Sequence, residues 1–196
     1  MPSLRAIYKQ YQTVAGVDEA GRGALAGPVV AAACVFYGKC EGLNDSKQLT
    51  FDKRKKIVET IKESPKNFFG IGVVDPQIID EINILQATLL AMKIAVQNLP
   101  KIPDYLLVDG IFLPDTPIPG LAIPQGDEQI PAIMAASNLA KVFRDEMMIH
   151  YDQLYPGFGF AKHMGYGTKE HREALQKGFS AIHRKSFEPL KSMILC

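Results

Sequence analysis

Thr13-Val14-Ala15-Gly16-Val17-Asp18-Glu19-Ala20-Gly21-Arg22-Gly23 is the stretch around which the rest of this chain is organised. Its first five residues are β-branched or small, which predicts a strand carrying two adjacent carboxylates to its end. Gly21 and Gly23 then supply a turn free of Cβ obstruction. Between them stands Arg22, whose side chain grips phosphate through parallel N–H donors.

Outward from this strand, Pro28 to Tyr37 and Asn67 to Val74 are apolar, β-rich and separated by glycine turns. Between them Thr50 is placed to cap a helix through about Ser64, with Phe51, Ile57, Val58 and Ile61 as its buried stripe. Asp75-Pro76 is a cap and first-turn signal, and helical material continues from it toward Leu99. Its second part sets Leu85, Leu89, Met92 and Val96 at helical spacing. Pro100 and Pro103 stop that helix. Tyr105-Leu106-Leu107-Val108-Asp109 predicts a short buried strand whose last residue is an acid, and Leu121-Ala122-Ile123 predicts one more. A long helix is expected from about Gln129 to Leu154, with small residues at Ala135-Ala136 and apolar ones at Ile133, Met134, Val142, Met148 and Tyr151. Strands alternating with helices indicate an α/β fold, a mixed sheet flanked by helices. After Pro156 the chain is richer in Gly, His and Lys. Residues 156–196 therefore read as a small helical C-terminal lobe, with Thr168 capping a helix that ends at Gly178.

At 196 residues, 47% hydrophobic and 22% charged, the composition is that of one well-buried globular domain with room for a small appendage. No apolar run approaches the roughly 18 residues that would span a bilayer, and Met1-Pro2-Ser3-Leu4-Arg5 lacks a secretory apolar core. No membrane role and a cytoplasmic location are the expectations. Cys34, Cys40 and Cys196 form no Cys-x-x-Cys pair, so neither a zinc site nor a disulfide framework is indicated. Net charge is only +1, but its distribution is uneven. Lys47, Lys53, Arg54, Lys55 and Lys56 stand against Asp52 alone. Lys162, Lys169, Arg172, Lys177, Arg184 and Lys185 stand against Glu170 and Glu173. Two such local excesses suit a phosphate backbone.

Metal-dependent hydrolysis of a phosphodiester needs several hard oxygen ligands converging on a cleft. Two divalent ions about 3.5–4 Å apart can support both the attacking and the departing oxygen, and about four carboxylates balance their charge. Asp18, Glu19 and Asp109 each stand at the end of a predicted strand, the usual ligand edge of an α/β sheet. Adjacent strand residues face opposite sides, so Asp18 and Glu19 share a site only if the strand twists or turns at Glu19. Asp127 and Asp145 compete for the fourth place. They are separated by roughly 24 Å of helix, at about 1.5 Å per residue, and cannot serve one metal pair. The four histidines, His150, His163, His171 and His183, are dispersed in sequence without ligand spacing, and read as structural or phosphate-facing.

The ordered motifs resemble the ribonuclease HII family, the type 2 branch of the ribonucleases H. They run from Asp18-Glu19-Ala20-Gly21-Arg22-Gly23 and Ala26-Gly27-Pro28-Val29-Val30 through Asp45-Ser46-Lys47-Gln48-Leu49, Val108-Asp109-Gly110 and Gly126-Asp127. Ala135-Ala136-Ser137-Asn138-Leu139-Ala140-Lys141-Val142, Arg144-Asp145, His163-Met164-Gly165-Tyr166-Gly167-Thr168 and His183-Arg184-Lys185-Ser186-Phe187 complete them.

The resemblance implies a ribonuclease H-like catalytic domain over residues 1–155 and a substrate-binding lobe over 156–196. It implies an endonuclease that hydrolyses the RNA strand of RNA/DNA hybrids and cuts 5′ of ribonucleotides embedded in duplex DNA. The products would be 5′-phosphate and 3′-OH ends, as in ribonucleotide excision repair. Two ions, Mn²⁺ or Mg²⁺, would be held by Asp18, Glu19, Asp109 and Asp127, which leaves Asp145 as a partner of Arg144 or Lys141. It further implies that Gly21, Arg22 and Gly23 contact a ribose 2′-OH through their backbone, and that Tyr166 packs on the sugar to the 3′ side. Lys47, Ser137 and Lys141 would touch phosphates. The expected partners are the hybrid and ribonucleotide-containing duplex DNA, met by a monomer. Two alternatives remain: the type 3 branch, for whose extra N-terminal domain Asp18 comes too early, and a hybrid-binding module without catalysis.

Overall fold

A computed structural model describes residues 3–38 and 50–195. A short helix α1 (Leu4–Gln10) precedes β1 (Val14–Ala20) and β2 (Val29–Val35). Then come α2 (Phe51–Glu63), β3 (Phe68–Val74), α3 (Pro76–Gln97), β4 (Tyr105–Asp109) and β5 (Gly120–Ile123). A 3-10 turn at Gly126–Glu128 leads into α4 (Pro131–Leu154), followed by α5 (Phe160–His163), α6 (Lys169–Leu175) and α7 (Leu190–Leu195).

The five strands form one mixed sheet in the order β3-β2-β1-β4-β5. β1 pairs antiparallel with β2 and parallel with β4, and β4 pairs parallel with β5. This is the expected α/β architecture with helices on both faces. Ala15 and Val17 of β1 join Ala31, Ala33, Ala87, Ala91, Ala95 and Met92 beneath α3. On the opposite face Ala32, Cys34, Val58, Ile61, Ala135, Ala136 and Leu139 pack β2 against α2 and α4. Small residues set the α4 contact: a Cβ on Gly16 would lie 2.1 Å from the Ala132 carbonyl carbon. Helix and strand backbones therefore touch at that point, and Ser137, one and a half turns further on, is brought over the end of β1.

Three boundaries differ from expectation. The helix expected to continue from Pro76 breaks at Asn83, whose backbone (φ 69°, ψ 164°) is non-helical. Asn83 Oδ1 instead accepts the Leu85 and Gln86 N–H groups at 3.0 and 3.2 Å, capping the second half. α4 begins at Pro131 rather than Gln129, because the 3-10 turn occupies the preceding residues. α6 is capped by Thr168 as expected but ends at Leu175. Looser turns carry the chain to Gly178 (φ 135°).

The C-terminal segment folds back on the turn after β1. Leu25 N–H donates to the Gly165 carbonyl at 2.8 Å, and Ala26 forms an antiparallel bridge with His183. Leu190 is fully buried with Leu25 and Leu175, so this end of the tail packs into a small core.

Candidate active site

β1 runs on past its last pairing with β4, Val17 with Val108. Asp18 points to the α4 face, where Ser137 meets it. Glu19, on the other face, stands beyond the end of β4 rather than over a packed layer. That placement answers the alternation problem: the strand outlasts its neighbour, and both acids reach one opening. Asp109 closes β4 beside them. Its Oδ1 accepts Gly126 N–H at 2.7 Å and Asp127 N–H at 3.3 Å, which ties the 3-10 turn to the strand end.

These elements enclose a cleft of about 560 Å³. Its lining includes Asp18, Glu19, Asp109 and Asp127, the Gly21-Arg22-Gly23 turn, and Ser137, Lys141 and Tyr166. Every site residue expected from sequence thus borders one opening except Lys47, which lies outside the described residues. Asp145 is absent from the lining; Lys141 Nζ donates to its Oδ1 at 2.7 Å. Of the two partners expected for Asp145, the structure chooses Lys141. Arg144 turns instead to the carbonyls of Pro28, Met164 and Ala26, at 3.0, 2.9 and 3.1 Å. It also lies beneath Gly21, where a Cβ would fall 1.9 Å from Arg144 Nε. Gly21 has φ of 96° besides, so only glycine fits there.

The electrostatics follow from this crowding. Burial first, then the Glu19 charge, raises Asp18 well above the usual carboxylate range; Ser137 and the Glu19 N–H act the other way, and Asp109 adds to the rise. Burial also raises Glu19, with the Arg22 guanidinium opposing and Asp109 reinforcing. Arg22 Nη1 lies 3.4 Å from Glu19 Oε1. Among the described residues no three His, Cys, Asp or Glu groups are close enough to hold a metal ion as they stand. The acids border the cleft, with Asp18, Glu19 and Asp109 held by protein donors. The donor set is nevertheless all carboxylate oxygen, which suits hard divalent cations, and the buried like charges call for a positive counterpart.

Tyr166 is half-buried at the cleft wall, with Lys141 Nζ 5.5 Å and Arg144 Cζ 5.4 Å from its ring centroid. Its backbone is held from behind by histidines that sequence spacing left apart. His171 Nδ1 lies 3.0 Å from the Tyr166 carbonyl, and His171 Nε2 lies 3.1 Å from His183 Nε2. Ser180 N–H donates to His183 Nδ1 at 2.8 Å, and the His163 ring stacks on His171 at 4.4 Å. One neutral tautomer set satisfies the whole relay, with each imidazole donating once and accepting once. Dispersed in sequence, these three are folded together by a turn and a short helix.

Two cations counted as surface charge also prove buried. Arg54 of α2 lines the cleft and feels the Asp145 charge. Arg184 is fully buried and donates to the Gly27 and Arg22 carbonyls, both at 2.9 Å. Neither is distinguishable by composition from the lysines around it, because burial follows from tertiary packing. Only the place of Arg184 in the quoted His183–Phe187 motif marked it out.

The family model for ribonuclease HII matches residues 15–189. A ribonuclease HII of Clostridioides difficile (strain 630) is 53% identical over 182 residues, covering 91% of this chain and 71% of that protein. One of Desulfitobacterium hafniense (strain DSM 10664 / DCB-2) is 51% identical over 187 residues, covering 94% and 72%. The crystal structure of the ribonuclease H2 from Pyrococcus horikoshii OT3 superposes with a TM-score of 0.78 at 28% identity, covering 92% of this chain and 96% of that chain. The chain belongs to the ribonuclease HII family, metal-dependent endoribonucleases that cleave the RNA of RNA/DNA hybrids.

Proposed function

We propose that this enzyme also cuts duplex DNA on the 5′ side of a single embedded ribonucleotide, leaving 3′-OH and 5′-phosphate ends. The observation that carries this reading is the placement of Asp18, Glu19 and Asp109, from two neighbouring parallel strands, around the same opening as the glycine-arginine-glycine turn and Tyr166. Those three acids and the sugar-reading groups would meet one nucleotide, not a long tract.

Asp18, Glu19, Asp109 and Asp127 would hold two divalent ions, Mn²⁺ or Mg²⁺, and such a pair supplies an activated water and charge support for the departing 3′-oxygen when bound. The chain's own groups do the rest. Ser137 restrains the Asp18 carboxylate. The Gly126 and Asp127 N–H groups fix Asp109 so that one of its oxygens is committed and the other is left for the cleft. The Gly21-Arg22-Gly23 backbone meets the 2′-OH, the donor and acceptor that distinguishes RNA from DNA. Tyr166 presents a flat ring to the next sugar, where a second hydroxyl has no room. Lys141 and Ser137, four residues apart on one helix face, approach the phosphates, and Lys47 is assigned the same role from sequence. Residues 156–196 serve as the substrate-binding lobe on a catalytic domain of residues 1–155. We read the enzyme as a cytoplasmic monomer; no described helix is long and apolar enough to cross a membrane.

Asp18→Asn or Asp109→Asn is expected to abolish cleavage while leaving hybrid affinity within about threefold, because each removes charge but keeps shape. Affinity falling in step with rate would contradict the assignment.

A further inference from the structure

The turn after β1 closes through Ala24 N–H to the Gly21 carbonyl at 3.4 Å, so its central peptide joins Arg22 to Gly23. In a turn with glycine at the third position that peptide has two orientations, related by a flip of roughly 180°, because glycine takes positive φ at little cost. Gly21 has a positive φ but Gly23 does not, so one of the two orientations is populated here. The Arg22 carbonyl accepts Arg184 Nη1 at 2.9 Å. Arg184 is 0% exposed, so that carbonyl points into the protein. In a trans peptide the C=O and N–H point opposite ways. The Gly23 N–H is therefore aimed outward, on the exposed side of the turn. A Cβ on Gly23 would meet nothing within 4 Å, and Gly23 lines the cleft.

We infer that Arg184 is a positioning residue for ribonucleotide recognition: its bond to the Arg22 carbonyl holds the Gly23 N–H as a fixed donor toward the 2′-OH and bars the flip that would put a carbonyl in its place. The inference rests on the reading of the Gly21-Arg22-Gly23 turn as the 2′-OH contact. Arg184 is itself firmly placed. Its Nε donates to the Gly27 carbonyl, its backbone N–H to the Leu25 carbonyl at 2.9 Å, and the Phe187 ring lies 5.1 Å from its Cζ. An arginine suits the task because one rigid fork spans two carbonyls, which a lysine cannot do. Arg184 Nη2 is buried without a partner among the described residues, a penalty that an apolar side chain would avoid.

The test is binding in the Asp109→Asn background, comparing a DNA duplex bearing one ribonucleotide with the all-DNA duplex of the same sequence. The parent should prefer the first by about tenfold, the order set by one well-placed hydrogen bond. Arg184→Met should reduce the preference to within about twofold and Arg184→Lys should keep part of it, since only lysine retains a donor. Affinity for the all-DNA duplex should stay unchanged in both. A preserved preference in a natively folded variant, or equal losses on both duplexes, would overturn the role of Arg184. A parent without preference would overturn the reading of the turn, and the inference with it. If neither variant folds, the parent decides: its Gly23 amide resonance should shift with the ribonucleotide duplex and not with DNA. A nuclear Overhauser contact from that amide proton to the Arg184 side chain would show the flipped peptide and refute the proposal.

Discussion

Asp18 is buried with two other carboxylates acting on it, which opposes folding whenever no cation is near. Its folded pKa lies above the ordinary value of 3.8, so its contribution to stability is full below that value and is lost as pH rises through the folded pKa. Metal-free Asp18→Asn is therefore expected to melt higher than the parent at pH 7, by about 3 °C if about 1 kcal/mol is released. The gap should narrow toward pH 4. Millimolar Mn²⁺ should raise the parent's melting temperature more than the variant's. A calorimetric scan in which the variant melts lower at pH 7 would contradict this account of the site. Asp18, Glu19 and Asp109 were legible because each ends a β-rich run, whereas Asp127 was preferred to Asp145 only through the family resemblance. Arg54 and Arg184 were not legible. In a run of cations, nothing local separates the one that tertiary packing buries from those that stay wet.

At the level of elements, the strands and their order along the chain follow from alternation and glycine turns, whereas the parallel pairing of residues 14–17 with 105–108 does not. That pairing joins segments about ninety residues apart, through packing of α3 that no local signal encodes. It is also what brings Asp109 beside Asp18. The break in α3 shows the same limit from the other side. A continuous apolar period runs through Asn83, yet its side chain competes for backbone donors and starts a second helix. Asn83→Ala removes two capping bonds and puts a Cβ residue at φ 69° without local compensation. Urea unfolding should show a loss of about 2 kcal/mol, while Asn83→Gly, which relieves the backbone, should lose less. Equal losses would mean that the conformation at Asn83 carries no strain. Cleavage at 25 °C should be unaffected in both, since Asn83 stands outside the cleft.

In the whole molecule the C-terminal segment is tied to the turn that follows β1, and the histidine relay lies inside that junction. Burial first, then the charge of neighbouring His171, lowers His183 from 6.5 to about 4. The other groups that face it are His163, the Ser180 hydroxyl and backbone, and the rings of Phe158, Phe160 and Phe179. A histidine with a lowered folded pKa favours the native state above 6.5, and that advantage is lost as pH falls from 6.5 to about 4. This trend opposes that of Asp18, so it is best read in the Asp18→Asn variant. There the melting temperature should fall steadily across that window, and His183→Gln should flatten the dependence. A slope unchanged by His183→Gln would place the acid sensitivity elsewhere.

The proposed hydrolytic centre is metal-dependent, built from acids of distant segments and aimed at a single ribonucleotide. Its most direct measurement is the identity of the ends formed from a DNA duplex carrying one ribonucleotide, with Mn²⁺, with excess chelator, and with Asp109→Asn. The account predicts a 3′-OH on the upstream DNA and a 5′-phosphate on the ribonucleotide with Mn²⁺, and no product in the other two reactions. A 2′,3′-cyclic phosphate, or cleavage that survives chelator or Asp109→Asn, would contradict it.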